Sequence, residues 1–270
     1  MEVIKKYGLL GANIAYSFSP NLHNRMFQLN GIDGFYSLID IPREEFSLDV
    51  LTEYVRSFSG FNVTIPYKEA ILGFLDEVDE RARKIGAVNT VVSEDGKWIG
   101  YNTDYDGFMF LFNQLDLREK RNATILGAGG AAKMVYQALM DLGFDDISVV
   151  SRSRNCDETY FKKARCINYT SLELNRKPVD LLVNCTPLGM GSHIETMPVS
   201  RELLLHHDAV IDLIYNPPET MLMREASKIG IKVLGGLDML IVQALEAESL
   251  WTGHSMNTEK NRLMLMGMFR

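Results

Sequence analysis

A lysine can do proton chemistry only where its neighbours hold it against a reacting group. Lys68 ends the stretch "GFNVTIPYK", in which Phe61, Val63 and Ile65 alternate with Asn62 and Thr64 like a half-buried strand. Pro66 stops that ladder, so the lysine stands just past the strand end. Taken alone it reads as a solvated side chain. A positioned ammonium beside a carbonyl would instead stabilise developing negative charge and deliver a proton. Other polar residues fall at comparable places. In "YSFSPNLHN", Ser19 and Pro20 form an N-cap and N1 pair, while Ser17 has no capping duty. Two hydroxyls at a helix start also suit a carboxylate or phosphate. His23, one turn further on, reads as a structural hydrogen-bonder. Asn89 lies in "AVNTV", and Thr103 and Asp104 in "YNTDYDGF", where Asp104 heads a helix and has the chemistry of an N-cap.

A second pattern points to a dinucleotide. "ATILGAGGAAKMVYQALMDLG" is an apolar strand, a glycine turn and a helix closed by Gly143. Gly127, Gly129 and Ala132 fit G-x-G-x-x-G/A: a tight turn, a close backbone approach to pyrophosphate, and a small residue between helix and strand. The turn residues Gly127, Ala128, Gly129, Gly130 and Ala131 then present unpaired N–H groups at a helix N-terminus. The next strand of an NAD site ends in an acid that holds the ribose 2′-hydroxyl. Here it ends in Ser151, Arg152, Ser153 and Arg154. Guanidinium groups suit a 2′-phosphate, so the pattern favours NADP(H) over NAD.

These residues need elements to position them. Strand and helix patterns alternate throughout, which predicts an α/β fold with largely parallel sheets. The first hundred residues read as a strand to Gly11, a helix from Ser19 to Gly31, a strand in "FYSLIDI" and a helix over 43–57. The Lys68 strand, a short helix in "DERARKIGA" and a hairpin at Asp95-Gly96 follow. A second series begins near Ala123, with five strands: "ATILGAGG", "DISVVSR", "DLLVNCT", "AVIDLIY" and "IKVLGG". The C-terminus reads as two helices. Two domains are expected, 1–104 with 238–270 and 105–237.

Composition narrows the function. With 270 residues, 46% hydrophobic and 23% charged, the chain can bury a large core. A net charge of -7 argues against a nucleic-acid surface. No stretch approaches the ~20 apolar residues of a membrane span. "MEVIKKYGLLGANIAYS" lacks the features of a signal peptide. Cys156, Cys166 and Cys185 are odd in number and have no CxxC spacing, and Cys185 reads as a buried free thiol. The histidines include one close pair, His206 and His207, whose side chains face apart, so no metal site is expected. The expectation is a cytoplasmic protein of a reducing compartment, acting on a small molecule, with monomer or homodimer left open.

The motifs together resemble the shikimate dehydrogenase family nearly end to end. "SFSPNLHN", "GFNVTIPYK", "IGAVNTV", "GYNTDYDGF", "GAGGAA", "SRSR", "NCTPLGM", "DLIYNPPET" and "GGLDMLIVQALEAESLWTG" occur in the family's order. The resemblance implies a substrate domain and a Rossmann-type NADP-binding domain with a deep cleft between them. It implies reversible reduction of 3-dehydroshikimate to shikimate with NADPH, in the shikimate pathway of aromatic amino acid biosynthesis. Residue by residue, it implies that Ser17 and Ser19 bind the substrate carboxylate with Tyr215 beside it. Thr64, Asn89, Asp104 and Gln243 would hold hydroxyls, and Lys68 and Asp104 would be the catalytic pair. Thr186, Leu213 and Gly236 would join the glycine turn and the arginines on the cofactor side. The sequence departs from the family at Asn13, Tyr16 and Glu248, where a proline, a histidine and an aromatic residue are usual. Serine rather than threonine at Ser19 favours shikimate over the bulkier quinate. The alternatives are an NAD(P)-using quinate/shikimate dehydrogenase and a non-catalytic NADP(H)-binding sensor.

Overall fold

Burial on both faces of the first strand shows how the N-terminal layers form. In β1 (Lys5–Gly11), Tyr7 and Leu9 face one layer and Leu10 the other. The computed structural model describes residues 4–117, 121–152, 156–157, 159–174 and 177–269. The chain forms two compact units, Met1–Asp106 with Ile241–Arg270, and Gly107–Leu240.

In the first unit, β1 is followed by α1 (Ser19–Asn30), β2 (Gly34–Asp40), α2 (Leu48–Val55) and β3 (Phe58–Val63). Then come β4 (Glu77–Val78), α3 (Glu80–Ile85), β5 (Thr90–Glu94) and β6 (Lys97–Tyr101). The strands make one six-stranded sheet in the order β2-β1-β3-β5-β6-β4. β1 is parallel to β2 and β3, whereas β5 is antiparallel to both β3 and β6. Asp95 and Gly96 join β5 to β6 with φ of 49° and 77°, the left-handed pair that a tight hairpin requires. Leu51 and Val55 of α2 pack with Leu10, Phe61 and Val63 on one face. Phe27 of α1 packs with Tyr7 and Tyr36 on the other, together with Trp251. That tryptophan belongs to α9, introduced below; its Nε1 donates to the Val91 carbonyl at 3.0 Å. Gly60 lies directly beneath, where a Cβ would come within 2.3 Å of the indole nitrogen.

The division between the units falls within α4 (Asp104–Phe112) and again within α9. In the second unit β7 (Asn122–Leu126), α5 (Gly130–Asp141), β8 (Asp146–Val150), β9 (Ala164–Ile167), α6 (Tyr169–Leu174) and β10 (Val179–Asn184) follow. α7 (Arg201–Leu204), β11 (His207–Asp212), α8 (Met221–Lys228), β12 (Lys232–Gly235) and α9 (Leu237–Thr252) complete the series before α10 (Glu259–Met266) in the first unit. All six strands are parallel, in the order β12-β11-β10-β7-β8-β9. Counted from β7, this is the doubly wound 3-2-1-4-5-6 order, with its reversal between β7 and β10.

The structure corrects several sequence expectations. The helix expected over 43–57 is a short 3-10 turn, Arg43–Glu45, and then α2, because Ser47 turns extended and accepts the Val50 N–H at its side chain. β4 and β9 were not foreseen. β4 has only two residues, and β9 is a four-residue edge strand interrupted by Arg165. The cysteine spacing hides a disulfide between Cys156 and Cys166, whose Cα atoms lie 5.9 Å apart. Tertiary structure makes this pair: β9 lays Cys166 beside Val149, and Cys156 packs against the carbonyl of that same residue. Cys185 is a free thiol, half-buried, and burial pushes its pKa up. Among the described residues no helix is long and apolar enough to cross a membrane, and no group of three or more side chains could hold a metal.

His207 gives the second unit a pH dependence. It is buried, its Nδ1 hydrogen-bonds the Leu203 carbonyl at 3.0 Å, and its Nε2 has no partner among the described residues. Burial lowers its pKa from 6.5 to about 4, against the smaller opposite effect of the Leu203 bond. The unfolded chain therefore takes up the proton first, so stability is full above about pH 6.5 and is lost as pH falls toward 4. Between about pH 7 and about pH 5 this residue should remove about 2 kcal/mol. Urea denaturation of wild type and His207→Gln at both pH values checks this. Equal losses in the two proteins would refute it.

Candidate active site

Strand direction brings the first unit's motifs to one sheet edge. β1 and β3 are parallel, so their C-terminal ends lie together. β5 runs the opposite way and β6 reverses again, so the start of β5 and the end of β6 share that edge. The loops bearing Ser17 and Ser19, Thr64 and Lys68, Asn89, and Thr103 and Asp104 all leave from it.

Lys68 Nζ donates to Asp104 Oδ2 at 2.6 Å, with the side chains 20% and 12% exposed, enough access for a ligand but little free water. Asp104 is therefore not a simple cap. Asn102 Oδ1 takes the Tyr105 N–H at the start of α4, leaving the Asp104 carboxylate to the lysine. Asn89 is buried and held on several sides: its Oδ1 accepts from the Thr103 N–H at 2.7 Å and from Thr90 Oγ1 at 3.1 Å. Its Nδ2 donates to Thr103 Oγ1 at 3.0 Å and to Gln243 Oε1 at 3.5 Å, which places α9 at the same edge. Thr64 donates its N–H to the Leu10 carbonyl at 2.8 Å, and its methyl lies against Gly11, where a Cβ would meet it at 2.7 Å.

The serine roles differ from the expected N-cap pair. α1 starts at Ser19, preceded by Phe18, which makes no side-chain cap. Ser17 Oγ accepts the Ser19 N–H at 3.3 Å and lies 3.2 Å from Ser19 Oγ. Ser17 thus has a capping duty, and Ser19 Oγ takes its partner from the side. The segment before them is anchored at Asn13, where φ is 57°. Asn13 and Ile14 donate their N–H groups to the two carboxylate oxygens of Asp40, at 2.7 and 3.2 Å. A proline could neither adopt that φ nor supply that N–H, so the departure from the family here carries its own support. Tyr16, the next departure, is 69% exposed and so leaves the core untouched.

The second unit presents its motifs at the C-terminal ends of its parallel strands. Gly127 has φ 104°, and a Cβ there would meet the Cys185 carbonyl oxygen at 3.2 Å, across the β7/β10 reversal. Ala128 and Gly129 complete the turn, Gly130 and Ala131 open α5, and the space where a Gly129 Cβ would stand is empty. Thr186 is fixed by Asn184 Oδ1, which accepts its N–H at 3.0 Å and its hydroxyl at 2.7 Å. Leu213 and Gly236 meet closely: a Cβ on Gly236 would fall 2.1 Å from the Leu213 carbonyl oxygen. Ser151 follows β8 with its Oγ buried and without a partner among the described residues, beside the exposed Arg152. Arg152 lines an open groove of about 570 Å³ with Tyr169, Glu173 and Leu188 among the other walls. Ser153 and Arg154 lie outside the described residues. Tyr215 is half-buried on the segment after β11.

Some residues that hold these loops were given no role by the sequence reading. Asp212 is buried and binds Asn184 Nδ2 at 3.0 Å, Thr220 Oγ1 at 2.7 Å and the Ile214 N–H at 3.2 Å. Burial raises its pKa, and these three bonds pull the other way. A polar residue ending an apolar strand was the available signal, at Asn184 and at Asp212 alike. Asp40 and Tyr36 were missed because their partners are distant in sequence.

A doubly wound parallel unit with a glycine turn and an arginine after its second strand, joined to a unit with a lysine–aspartate pair, defines a nicotinamide-dinucleotide oxidoreductase. Comparison with known proteins narrows the class. Residues 9–91 match the family model "Shikimate dehydrogenase substrate binding domain". Shikimate dehydrogenase (NADP(+)) of Clostridium beijerinckii is 39% identical over 246 residues, covering 91% of each chain. The crystal structure of a chorismate mutase/shikimate 5-dehydrogenase fusion protein from Clostridium acetobutylicum superposes with a TM-score of 0.90 at 35% identity, covering 98% of this chain and 97% of that one. Shikimate 5-dehydrogenase from Thermus thermophilus, in complex with NADP(H) and shikimate, gives 0.84 at 34% identity, covering 97% and 99%. The chain belongs to the shikimate dehydrogenase family.

Proposed function

We propose that this chain is an NADP-dependent shikimate dehydrogenase, reversibly reducing 3-dehydroshikimate to shikimate in aromatic amino acid biosynthesis, and that it works in the cytoplasm. The first unit takes the substrate and the second the cofactor. The observation that carries the reading is the 2.6 Å Lys68–Asp104 pair on a sheet edge that also bears Ser17, Ser19, Thr64 and Asn89.

The residues fit the cofactor on independent grounds. Gly127 makes the tight turn, Gly129 leaves backbone open to a pyrophosphate, and the Ser151 Oγ beside Arg152, without a partner among the described residues, offers a hydrogen bond to a phosphate oxygen. Arg152 would hold the 2′-phosphate, with Thr186, Leu213 and Gly236 lining the rest of the site. When bound, NADPH supplies the hydride and NADP takes it back.

The chain's own residues position the ketone and handle the proton. Ser17 and Ser19 bind the substrate carboxylate, and Thr64, Asn89 and Gln243 hold its hydroxyls. Lys68 Nζ donates a hydrogen bond to the carbonyl oxygen, stabilises the charge that develops there and delivers the proton. Asp104 aims the ammonium through its short bond and accepts from a neighbouring hydroxyl. In the oxidation direction Lys68 takes the alcohol proton back.

The test is spectrophotometric: purified protein, shikimate and either NADP or NAD, followed by the absorbance of reduced nicotinamide. Fast reduction of NADP with little of NAD is expected. No reduction of either cofactor, with shikimate still binding, would overturn the reading. A preference for quinate would replace the substrate assignment.

A further inference from the structure

His23 and Glu248 are a deeply buried pair of titratable side chains that the proposed reaction leaves unused, 1% and 0% exposed. His23 Nδ1 lies 2.8 Å from Glu248 Oε1. The bond joins two helices that also carry proposed substrate contacts: α1 holds Ser19 one turn before His23, and α9 holds Gln243 shortly before Glu248. The pair thus ties the helix bearing Ser19 to the helix bearing Gln243.

A second route runs through Tyr36. Its ring stacks on His23, with centroids 4.2 Å apart and planes 13° from parallel. Its hydroxyl donates to Asn62 Oδ1 at 2.8 Å. Asn62 Nδ2 in turn donates to the Asn89 carbonyl at 3.2 Å and to Thr90 Oγ1 at 3.0 Å. Thr90 Oγ1 then donates to Asn89 Oδ1 at 3.1 Å. Every side chain from Glu248 to Asn89 along this path is buried. Asn62, central to the path, is held by three bonds that leave its amide one orientation.

Stability alone is a poor reason for this carboxyl. Tyr7 and Tyr36 lie close enough to Glu248 to feel its charge, and among the described residues its Oε2 has no hydrogen-bond partner. An unpartnered buried oxygen is destabilising, and apolar side chains often replace buried pairs without loss. Burial raises the Glu248 pKa and His23 lowers it, so the site itself resists the charge.

We propose that Glu248 is a positioning residue: through His23 it fixes the helices bearing Ser19 and Gln243, and through Tyr36 and Asn62 it sets the Asn89 amide that receives the substrate. The proposal rests on the shikimate dehydrogenase reading of this site. The experiment measures kcat, both KM values and Tm for wild type, Glu248→Leu, Glu248→Gln and Tyr36→Phe. Glu248→Leu should raise the shikimate KM about tenfold and leave the NADP KM within about twofold, the loss of one buried positioning bond. Glu248→Gln keeps a hydrogen bond to His23 and should restore the shikimate KM to within about twofold of wild type. Tyr36→Phe removes only the hydroxyl on Asn62 and should raise the shikimate KM several-fold. A lowered Tm with unchanged shikimate KM in Glu248→Leu would overturn the proposal. If Glu248→Leu does not fold, an unchanged shikimate KM in Tyr36→Phe overturns it equally. Inactive wild-type protein defeats the underlying reading instead, which separates the two failures.

Discussion

Lys68→Ala should lose about 10²–10⁴ in kcat for shikimate oxidation, with a smaller rise in shikimate KM. The loss falls mainly on turnover because the ammonium meets the most charge when the oxygen is partly anionic, not when the ketone first binds. Asp104 contacts the same nitrogen at 2.6 Å, so the two residues should act as one unit. The double variant Lys68→Ala/Asp104→Ala should then lose little more turnover than Lys68→Ala alone. Steady-state kinetics of the singles and the double decide it. Near-normal kcat in Lys68→Ala would remove the lysine from the chemistry, and fully additive losses would separate it from the aspartate.

Arg152→Ala should raise the NADPH KM about 10–100-fold, the scale of a lost charge-assisted hydrogen bond, and leave the NADH KM almost unchanged. NADH has a 2′-hydroxyl where NADPH has the phosphate, so the guanidinium discriminates only through that group. Arg152 is exposed in the groove wall, so salt should screen its attraction. Raising ionic strength should narrow the gap between wild type and variant for NADPH. Equal rises for both cofactors would take Arg152 off the 2′-phosphate and leave it a general support of the loop.

These two residues were visible in the sequence because each stands in a contiguous run at a strand end. Lys68 follows a proline-stopped strand, and Arg152 follows an apolar strand where an acid would suit NAD. The glycine turn was equally legible, since Gly127 needs its positive φ whatever else surrounds it. Local reading failed where the partner lies far along the chain. Ser19 followed by proline carries the residues of a cap, yet Ser17 accepts the N–H because the loop before it is tied to Asp40, the last residue of β2. The β9 edge strand was missed because it is short and interrupted by Arg165, and pairing with β8 rather than its own pattern makes it a strand.

Sequence alone determined the order of the motifs, the dinucleotide turn and the preference for a phosphate-bearing cofactor, because glycine conformation and side-chain charge are local properties. Tertiary structure decided which residues meet. Parallel and antiparallel pairing in one sheet turned separate strand ends into a single edge, so that Lys68 reaches Asp104 and Asn89 reaches Gln243. It also placed Glu248 against His23, 225 residues away in the chain, since packing α1 and α9 on the same face of that sheet buries both. No local pattern encodes such a pairing, because hydrogen bonding and burial depend on distance in space rather than along the chain.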